Sequence, residues 1–487
     1  MSGVEGTKRA SAACENRDPL SVVIVGAGLG GLCCAIACAR SDLSVIVLEK
    51  SAQLTELGAG ISLPPNAIRV LDHFGLMPAI RAAGAVTAER YRVFDYHTGD
   101  VLATRPGMDK DGRKWMEEAF GYCHHFIHRV DYQRILVAEA RRLRVDIRLG
   151  AEVREVKCYE TGPFVQLSNG EKVCGDVIVG ADGIMSRVRT DILGCVRQPQ
   201  PTGDLAYRAT IPRAQVEALL GSFPRLNGIL HANEQWTWWG PNSHIMFYPI
   251  KDCQIFNMVL LCPDDLPENV RRADADIDQM RGLFKDWDPL LQSLVAQVSS
   301  VLKWKLQHME ELKFWTKGCV ALIGDACHPS LPYQGQGSAM AAEDGLCLGT
   351  LLGLLYSKRQ RSQAGGASSS DGTKDGAYEF PLFHPTVPEV LGLYESLRKQ
   401  RTTINIRGAL DNRSLYHMVD PSTIAERNEW LKGLNWEPPE NEHEISANLK
   451  PKGKCWKWGH MRYQTDLLGW DTHAEAVREF ERHFEKV

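Results

Sequence analysis

The run VVIVGAGLGGL, Val22 to Leu32, constrains this chain more than any other stretch: an apolar strand passes directly into glycines at 26, 28, 30 and 31 and then into small apolar residues. A strand, a tight turn and a helix, followed by a second apolar strand at Ser44 to Glu49, make a βαβ unit. Gly26, Gly28 and Gly31 have the GxGxxG spacing, and Glu49 closes the second strand. In such a unit the first glycine permits the turn and the second lets a pyrophosphate approach the backbone. The third lets helix and strand pack closely while the helix N-terminus faces the anion. Glu49 is placed to accept hydrogen bonds from a ribose, which disfavours a 2′-phosphate. The pattern predicts a dinucleotide site and leaves open which dinucleotide.

A chain of 487 residues suggests two or more domains, and a formal net charge of -4 provides no polybasic field. Nucleic acid and anionic membrane are therefore not expected as partners, and a small molecule is. The 14 cysteines are scattered, several within apolar runs (Cys33, Cys34, Cys38, Cys347), with no CxxC pair. They read as buried thiols in a reducing compartment. His124, His125 and His128 lack nearby thiolates and the HExxH form, so no metal is expected. Residues 1–20 are polar with no apolar core, which predicts a loose arm and no secretory signal. No window reaches the roughly 18 consecutive apolar residues of a spanning helix, so a cytoplasmic protein is expected; oligomeric state is left open.

Helical periodicity is predicted at Pro65 to Phe74 and at Asp131 to Leu143, with Asp131 as the cap. Phe164 to Val179 alternates around Asn169-Gly170, a pair that favours a two-residue primed hairpin turn. LAYRATI, QWTWWG, HIMFYPI and IFNMVLL then alternate as an antiparallel sheet, and the chain returns with the apolar strand of GCVALIGDA and a helix from about Ser338 to Tyr356. Ser357 to Asp375 is low-complexity and reads as a disordered loop, after which helix resumes near Pro388 to Leu410.

Two longer motifs decide the dinucleotide. GDVIVGADGIMSRVR, Gly175 to Arg189, resembles the GADGxxSxxR segment of the class A flavoprotein monooxygenases, and GDACHPSLPYQGQGSAMAAEDG, Gly324 to Gly345, resembles their GDAxHxxxPxxGQGxxxxxED segment. The C-terminal LLGWDTHAEA is similar to the fungal, salicylate-hydroxylase-like branch. The resemblance implies an α/β fold: an FAD-binding Rossmann-like domain of the glutathione-reductase type, an inserted antiparallel-sheet substrate domain and a C-terminal helical segment. The boundaries drawn are 1–20 for the arm, 21–200 for the first part of the FAD domain, 201–312 for the substrate domain, 313–356 for the return, 357–380 for the loop and 381–487 for the C-terminal region.

The resemblance further implies that NAD(P)H reduces bound FAD and that oxygen, carried as a flavin C4a-hydroperoxide, is inserted into an electron-rich aromatic or heteroaromatic molecule. Asp325 would hold a ribityl hydroxyl; Gly337 and Ser338, after Gly335 and Gln336, would open a helix toward the flavin pyrimidine ring. Arg129 and Asp182 match family positions linked to the cofactor, and Gly60 one where backbone runs beside it. Arg208 is the catalytic candidate, a cation able to hold a phenolate or carboxylate, against the alternative of a charge on the outer sheet face. Trp239 stands where some relatives have a tyrosine, which leaves room for an indole-like substrate. Trp236 and Trp238 should share one strand face and Trp239 the other. His244 and Tyr248 share a face, and with Trp239 and Pro332 are candidate pocket residues. A flavin halogenase would need a GWxWxIP-like segment that WTWWGPN does not supply, and a non-catalytic binding protein on this fold would not need Asp182, Asp325 and Gly335 to Gly337 intact.

Overall fold

A computed structural model describes residues 19–54, 59–107, 114–159, 162–194, 198–366, 385–434, 436 and 456–484. The βαβ unit forms as Ser21–Val25, Leu29–Ala39 and Ser44–Glu49, at the centre of a six-stranded sheet. That sheet runs Thr316–Lys317, Val320–Leu322, Val177–Gly180, Ser21–Val25, Ser44–Glu49, Asp146–Leu149, parallel except at its first pair. Of the two motif strands, Val177–Gly180 pairs with the glycine-turn strand and Val320–Leu322 with Val177–Gly180, all three in parallel, so that their turns open at one edge. Parallel strands buried on both faces need continuous apolar runs, which is why VVIV and VIVG carry no alternation.

The second sheet has eight strands in the order Arg272–Asp274, Leu302–His308, Gln200–Pro212, Ile255–Pro263, Ser243–Ile250, Glu234–Gly240, Arg90–Asp95, Val101–Pro106. The last two form a hairpin from within the span drawn as 21–200. Arg90–Asp95 pairs in parallel with Glu234–Gly240, so the hairpin belongs to the second sheet and not to the first. One face of this sheet packs an apolar core with Trp236, Trp238, Phe247 and Met258, and the other carries Trp239, Ala206 and Leu261.

Several local expectations are displaced. The helix Arg129–Arg142 is capped at His128, and Asp131 sits in its first turn. Of Asn169-Gly170, only Gly170 is left-handed (φ +87°), and Gly170 N–H donates to the Leu167 carbonyl at 3.0 Å. A three-residue loop with its left-handed position at glycine replaces the two-residue turn. The long helix runs Gly337–Gly366, so residues 357–366 of the span drawn as a loop are helical; residues 367–384, with the rest of that loop, and 1–18 of the arm lie outside the described residues.

The long helix meets the glycine-turn helix closely enough that a Cβ at Gly345 would stand 2.5 Å from the Cys34 amide nitrogen. Its stretch Gly337–Gln363 is long and apolar enough to cross a membrane, with mean hydropathy 1.3, but 83% of the window is buried within the protein. Cys33, Cys34, Cys38 and Cys347 are buried free thiols.

A buried ionic cluster locks this helix to the helix Val387–Tyr416. Glu343 accepts from Arg401 at 2.7 and 2.9 Å, from Arg398 at 2.7 Å and from Asn66 at 2.8 Å. Asp344 accepts from Arg398 Nε at 2.7 Å, from the Gly324 amide at 2.9 Å and from His328. Cys327, His328 and Asp344 are near enough to hold a metal ion, but Asp344 already has an arginine, an amide and an imidazole.

Against the cost of burial, the paired arginines and His328 hold both carboxyls low, Asp344 at about 2. A carboxyl with a depressed native pKa contributes stability that is present above its unfolded value, about 4, and lost as pH falls through the native one. Thermal stability should therefore decline as pH drops from about 4 toward about 2. Arg398→Met, which takes an arginine from two buried carboxylates at once, should cost about 3–5 kcal/mol. A denaturant midpoint matching the parent at neutral pH would show that the cluster relaxes without loss.

Candidate active site

Gly26 is left-handed (φ +109°), and a Cβ there would lie 2.4 Å from the Ala181 carbonyl oxygen. A Cβ at Gly31 would lie 2.2 Å from the Gly26 carbonyl oxygen. Both are demanded by the chain's own packing. At Gly28 nothing stands within 4 Å, and the residue lines two adjoining cavities, of about 440 and 390 Å³. The space at Gly28 is therefore room for a ligand. The helix that follows has no side-chain cap and no acidic residue in its first turn, so its N–H groups face the cavity uncompensated.

Glu49 lines the outer cavity and is held by the turn itself: Oε2 accepts from the Ala27 amide at 2.9 Å and Oε1 from the Ser51 amide at 2.9 Å. Each oxygen keeps acceptor capacity toward the cavity. Asp182, in the same wall, accepts from Ser186 Oγ at 2.5 Å and from the Arg187 and Val188 amides at 2.6 and 3.1 Å. It ties down the start of the helix Arg187–Leu193, while burial raises its carboxyl pKa against these bonds.

The larger cavity runs from Gly28 to the second sheet. Asp325 follows the strand Val320–Leu322 and is exposed onto this cleft rather than to the outer surface. The protein atoms around it raise its pKa, opposed by His328 and Arg129. Arg129 opens its helix on the opposite wall, its amide donating to the Ala59 carbonyl at 3.1 Å. Gly335, left-handed at φ +64°, ends the turn Pro332–Gln334 and delivers the chain to Gly337 and Ser338 at the start of the long helix. Gly335, Gly337, Ser338 and Pro332 all line the cleft. Gly60 also lines it, but its missing side chain has a protein cause. A Cβ would lie 2.8 Å from Asn257 and Tyr248, and its amide donates to Asn257 Oδ1 at 2.7 Å.

The far wall is the second sheet. Arg208 faces the cleft, not the outer face, with its guanidinium carbon 5.5 Å from the centre of the Trp304 ring. Its charge opposes the upward push that burial exerts on the Tyr248 hydroxyl. His244, Met246 and Tyr248 alternate into the cleft, and Tyr248 stacks on Phe126 at 4.5 Å. His244 Nδ1 is 2.7 Å from Nε2 of His417, and burial, then His417, keeps its pKa well below the usual imidazole value. Trp239 does not reach the cleft. It lies behind Tyr416, stacked on that ring at 4.1 Å, and its indole N–H donates to Thr237 Oγ1 at 3.0 Å.

Sequence reasoning missed Tyr91 and Arg105 of the misplaced hairpin, and Tyr416, Trp458 and Gln464 of the C-terminal helices, all of which line the cleft. His124, dismissed as a metal ligand, lines it too: its Nε2 lies 2.5 Å from Ser62 Oγ, and burial with Arg105 lowers its pKa to about 3, keeping it neutral. The interrupted alternation of YRVFDY and VLATR was the one signal that could have placed the hairpin.

The arrangement fits FAD on three counts: an open approach at Gly28 beside a helix N-terminus, a carboxylate exposed onto the cleft at Asp325, and a second helix N-terminus at Gly337. Comparison with known proteins agrees. A model of the FAD binding domain matches residues 19–365. The FAD-dependent monooxygenase OpS4 of Beauveria bassiana (strain ARSEF 2860) is 34% identical over 91% of this chain and 96% of its own. The 3-hydroxybenzoate 6-hydroxylase 1 of Aquipseudomonas alcaligenes is 33% identical over 68% of this chain and 80% of its own. A salicylate hydroxylase substrate complex superposes with TM-score 0.70 at 21% identity, covering 94% of this chain and 97% of that one, which shows the shared fold. With the glycine turn, both longer motifs and the cleft they frame in place, the chain belongs to the FAD-dependent monooxygenases, enzymes that spend NAD(P)H and O2 on aromatic substrates.

Proposed function

We propose that this enzyme places one oxygen atom on an electron-rich carbon of a small phenolic, indole-like or other heteroaromatic molecule held against the second sheet. The observation that carries the reading is the continuity of the cleft: one cavity joins Gly28, Asp325 and Gly337 to a wall of Arg208, His244, Tyr248 and Tyr416. Bound FAD supplies the chemistry of accepting electrons from NAD(P)H and activating oxygen. The chain's own groups do the rest. Gly28 and the helix behind it receive the pyrophosphate, Glu49 the ribose, and Asp325 a ribityl hydroxyl, while Arg129 stands across from Asp325. Asp182 acts through the turn it ties down, as a positioning residue.

Arg208 holds an oxyanion of the substrate and balances the charge that develops as oxygen is transferred. His244, neutral, offers Nε2 to a substrate hydroxyl while Nδ1 is engaged by His417. Tyr248 and Pro332 shape the wall, and Tyr416, stacked on Trp239, offers the aromatic face there. Eleven described cysteines are free thiols, which supports a reducing, cytoplasmic setting. The fungal source of OpS4 supports a role in secondary metabolism.

Arg208→Gln should keep FAD bound and the fold intact while hydroxylation falls about 10²- to 10³-fold. Hydrogen peroxide released per NAD(P)H consumed should rise as product falls. Product yield and coupling equal to the parent would move the oxyanion site elsewhere in the cleft.

Glu49→Ala should weaken FAD binding by about 1–3 kcal/mol, read as flavin loss on dilution. Glu49 also holds the Ala27 and Ser51 amides, so the melting temperature of the FAD-free protein should fall slightly as well. Undiminished flavin retention would remove the ribose assignment.

A further inference from the structure

Arg105, half-buried, stands apart from the buried arginines of the protein by what it lacks. Arg398 and Arg401 face Glu343 and Asp344 at 2.7 to 2.9 Å. Arg189 donates to the Ala326 and Ile184 carbonyls at 2.9 and 2.7 Å, and Arg427 to the Leu415 and Trp239 carbonyls at 3.2 and 3.3 Å. Arg105, on the strand Val101–Pro106, makes one long contact to the Gln464 side-chain oxygen at 3.5 Å, and no carboxylate among the described residues pairs with it. Its guanidinium is instead flanked by aromatic faces, 5.0 Å from the centre of Tyr91 and 6.0 Å from that of Trp436.

This guanidinium lines the same cleft as Arg208, His244 and Tyr416. Burial lowers its pKa, opposed only by the phenol groups of Tyr91 and Tyr416. The neighbouring imidazole, His124, is uncharged and repelled as a cation by Arg105. A fixed positive charge held by rings and one amide, inside a cavity, is costly until an anion reaches it. A planar fork of N–H donors is shaped to take a carboxylate or a phenolate.

The geometry points to Arg105 as an anion subsite of the substrate pocket, which selects aromatic molecules carrying a negatively charged oxygen, as carboxylate or ionised phenol, over their neutral counterparts. It rests on the oxygenase reading of this cleft and adds a second cation to it, contributed by a different strand from that of Arg208. The aromatic rings beside Arg105 give the ligand's ring a surface to lie on, and the guanidinium fixes its orientation.

The test uses the FAD-loaded enzyme and two matched pairs of probes: benzoate with benzamide, and 4-nitrophenol, ionised above neutrality, with 4-nitroanisole. Binding is read from the change in flavin absorbance, and NAD(P)H oxidation is followed separately. In at least one pair the anion should bind tenfold or more tighter than its neutral partner, the scale of a hydrogen bond to a charged group. The pair that shows it tells a carboxylate site from a phenolate site. Arg105→Gln should cut that preference about fivefold or more, the share owed to Arg208 remaining, and leave FAD content and neutral-probe binding within about twofold. Should that variant lose FAD, Arg105→Lys decides on the same readout, because it keeps the charge and loses the fork: the anion should weaken about threefold or more, with the neutral probe unchanged.

Equal binding within both pairs, failure of both anions to bind, or a preference undiminished in Arg105→Gln overturns the assignment. Selective anion binding with no probe-stimulated NAD(P)H oxidation would leave the subsite standing and count against the oxygenase reading of the cleft.

Discussion

The buried cluster of Glu343 and Asp344 with Arg398 and Arg401 fixes the geometry on which the rest of the molecule depends. Each carboxylate faces two ways. Toward the C-terminal helix they take arginines; toward the cleft Asp344 takes the Gly324 amide and His328, and Glu343 takes Asn66, whose amide also reaches Gln336 Oε1 at 3.0 Å. Gly324 precedes Asp325, and Gln336 precedes Gly337. The ions therefore set the position of both backbone turns that line the cleft. Ion pairs at such depth are poor sources of net stability, since desolvation cancels most of the attraction. What this one supplies is a single allowed register between two helices and two turns, because any slip leaves a charge unpaired.

A second junction holds the two sheets at a working distance. Tyr333, in the turn before Gly335, bonds through its hydroxyl to Asp204 on the second sheet. Asp204 in turn accepts from Arg413 at 2.5 and 2.8 Å, and the Tyr333 carbonyl accepts from Asn412 at 3.1 Å and from the Tyr416 hydroxyl at 3.2 Å. One turn of the first domain, one strand of the second and the end of the C-terminal helix thus share a few polar atoms beside the cleft. His417, one residue past that helix, brings its ring to His244. The C-terminal region is part of the pocket and not an appendage to it.

What could be read from the sequence was what local spacing encodes. Gly26 and Gly31 lack side chains for the packing that their places in the turn require, Gly28 keeps open space, and the motif strands were legible as apolar runs that must be buried on both sides. The period-two face of His244 and Tyr248 was legible for the same reason, and so was the split of Trp236 and Trp238 from Trp239. Parity along a strand gives the face, but it does not say what covers that face. Tyr416 covers Trp239, and it comes from 177 positions further along the chain, a distance no local pattern spans. The hairpin of Arg105 failed similarly. Its strands alternate weakly, and only the parallel pairing with Glu234–Gly240 assigns it to the second sheet. The ED pair was visible as part of a motif, yet its role depends on arginines of a helix that was predicted without a partner.

The cleft that results has an unusual division of labour between its charged and uncharged groups. His124 is held to a pKa of about 3, His417 to about 4, and His244 well below the usual imidazole value, in each case by burial first; Arg105 adds to it at His124 and His417 at His244, while Asp204 opposes it at His417. Groups depressed this far stay uncharged through the neutral range, so they serve as hydrogen-bond partners of fixed valence. The positive field of the pocket comes instead from Arg105, Arg129 and Arg208, and a guanidinium does not give up its proton at any pH the fold survives. Asp325 is the exception, an acid raised by burial and opposed by His328 and Arg129. It stands beside the Gly324 turn, following a strand of the first sheet and not of the second. A pocket built this way presents the same charge to its substrate across neutral pH, so what varies there is the ionisation of the substrate itself.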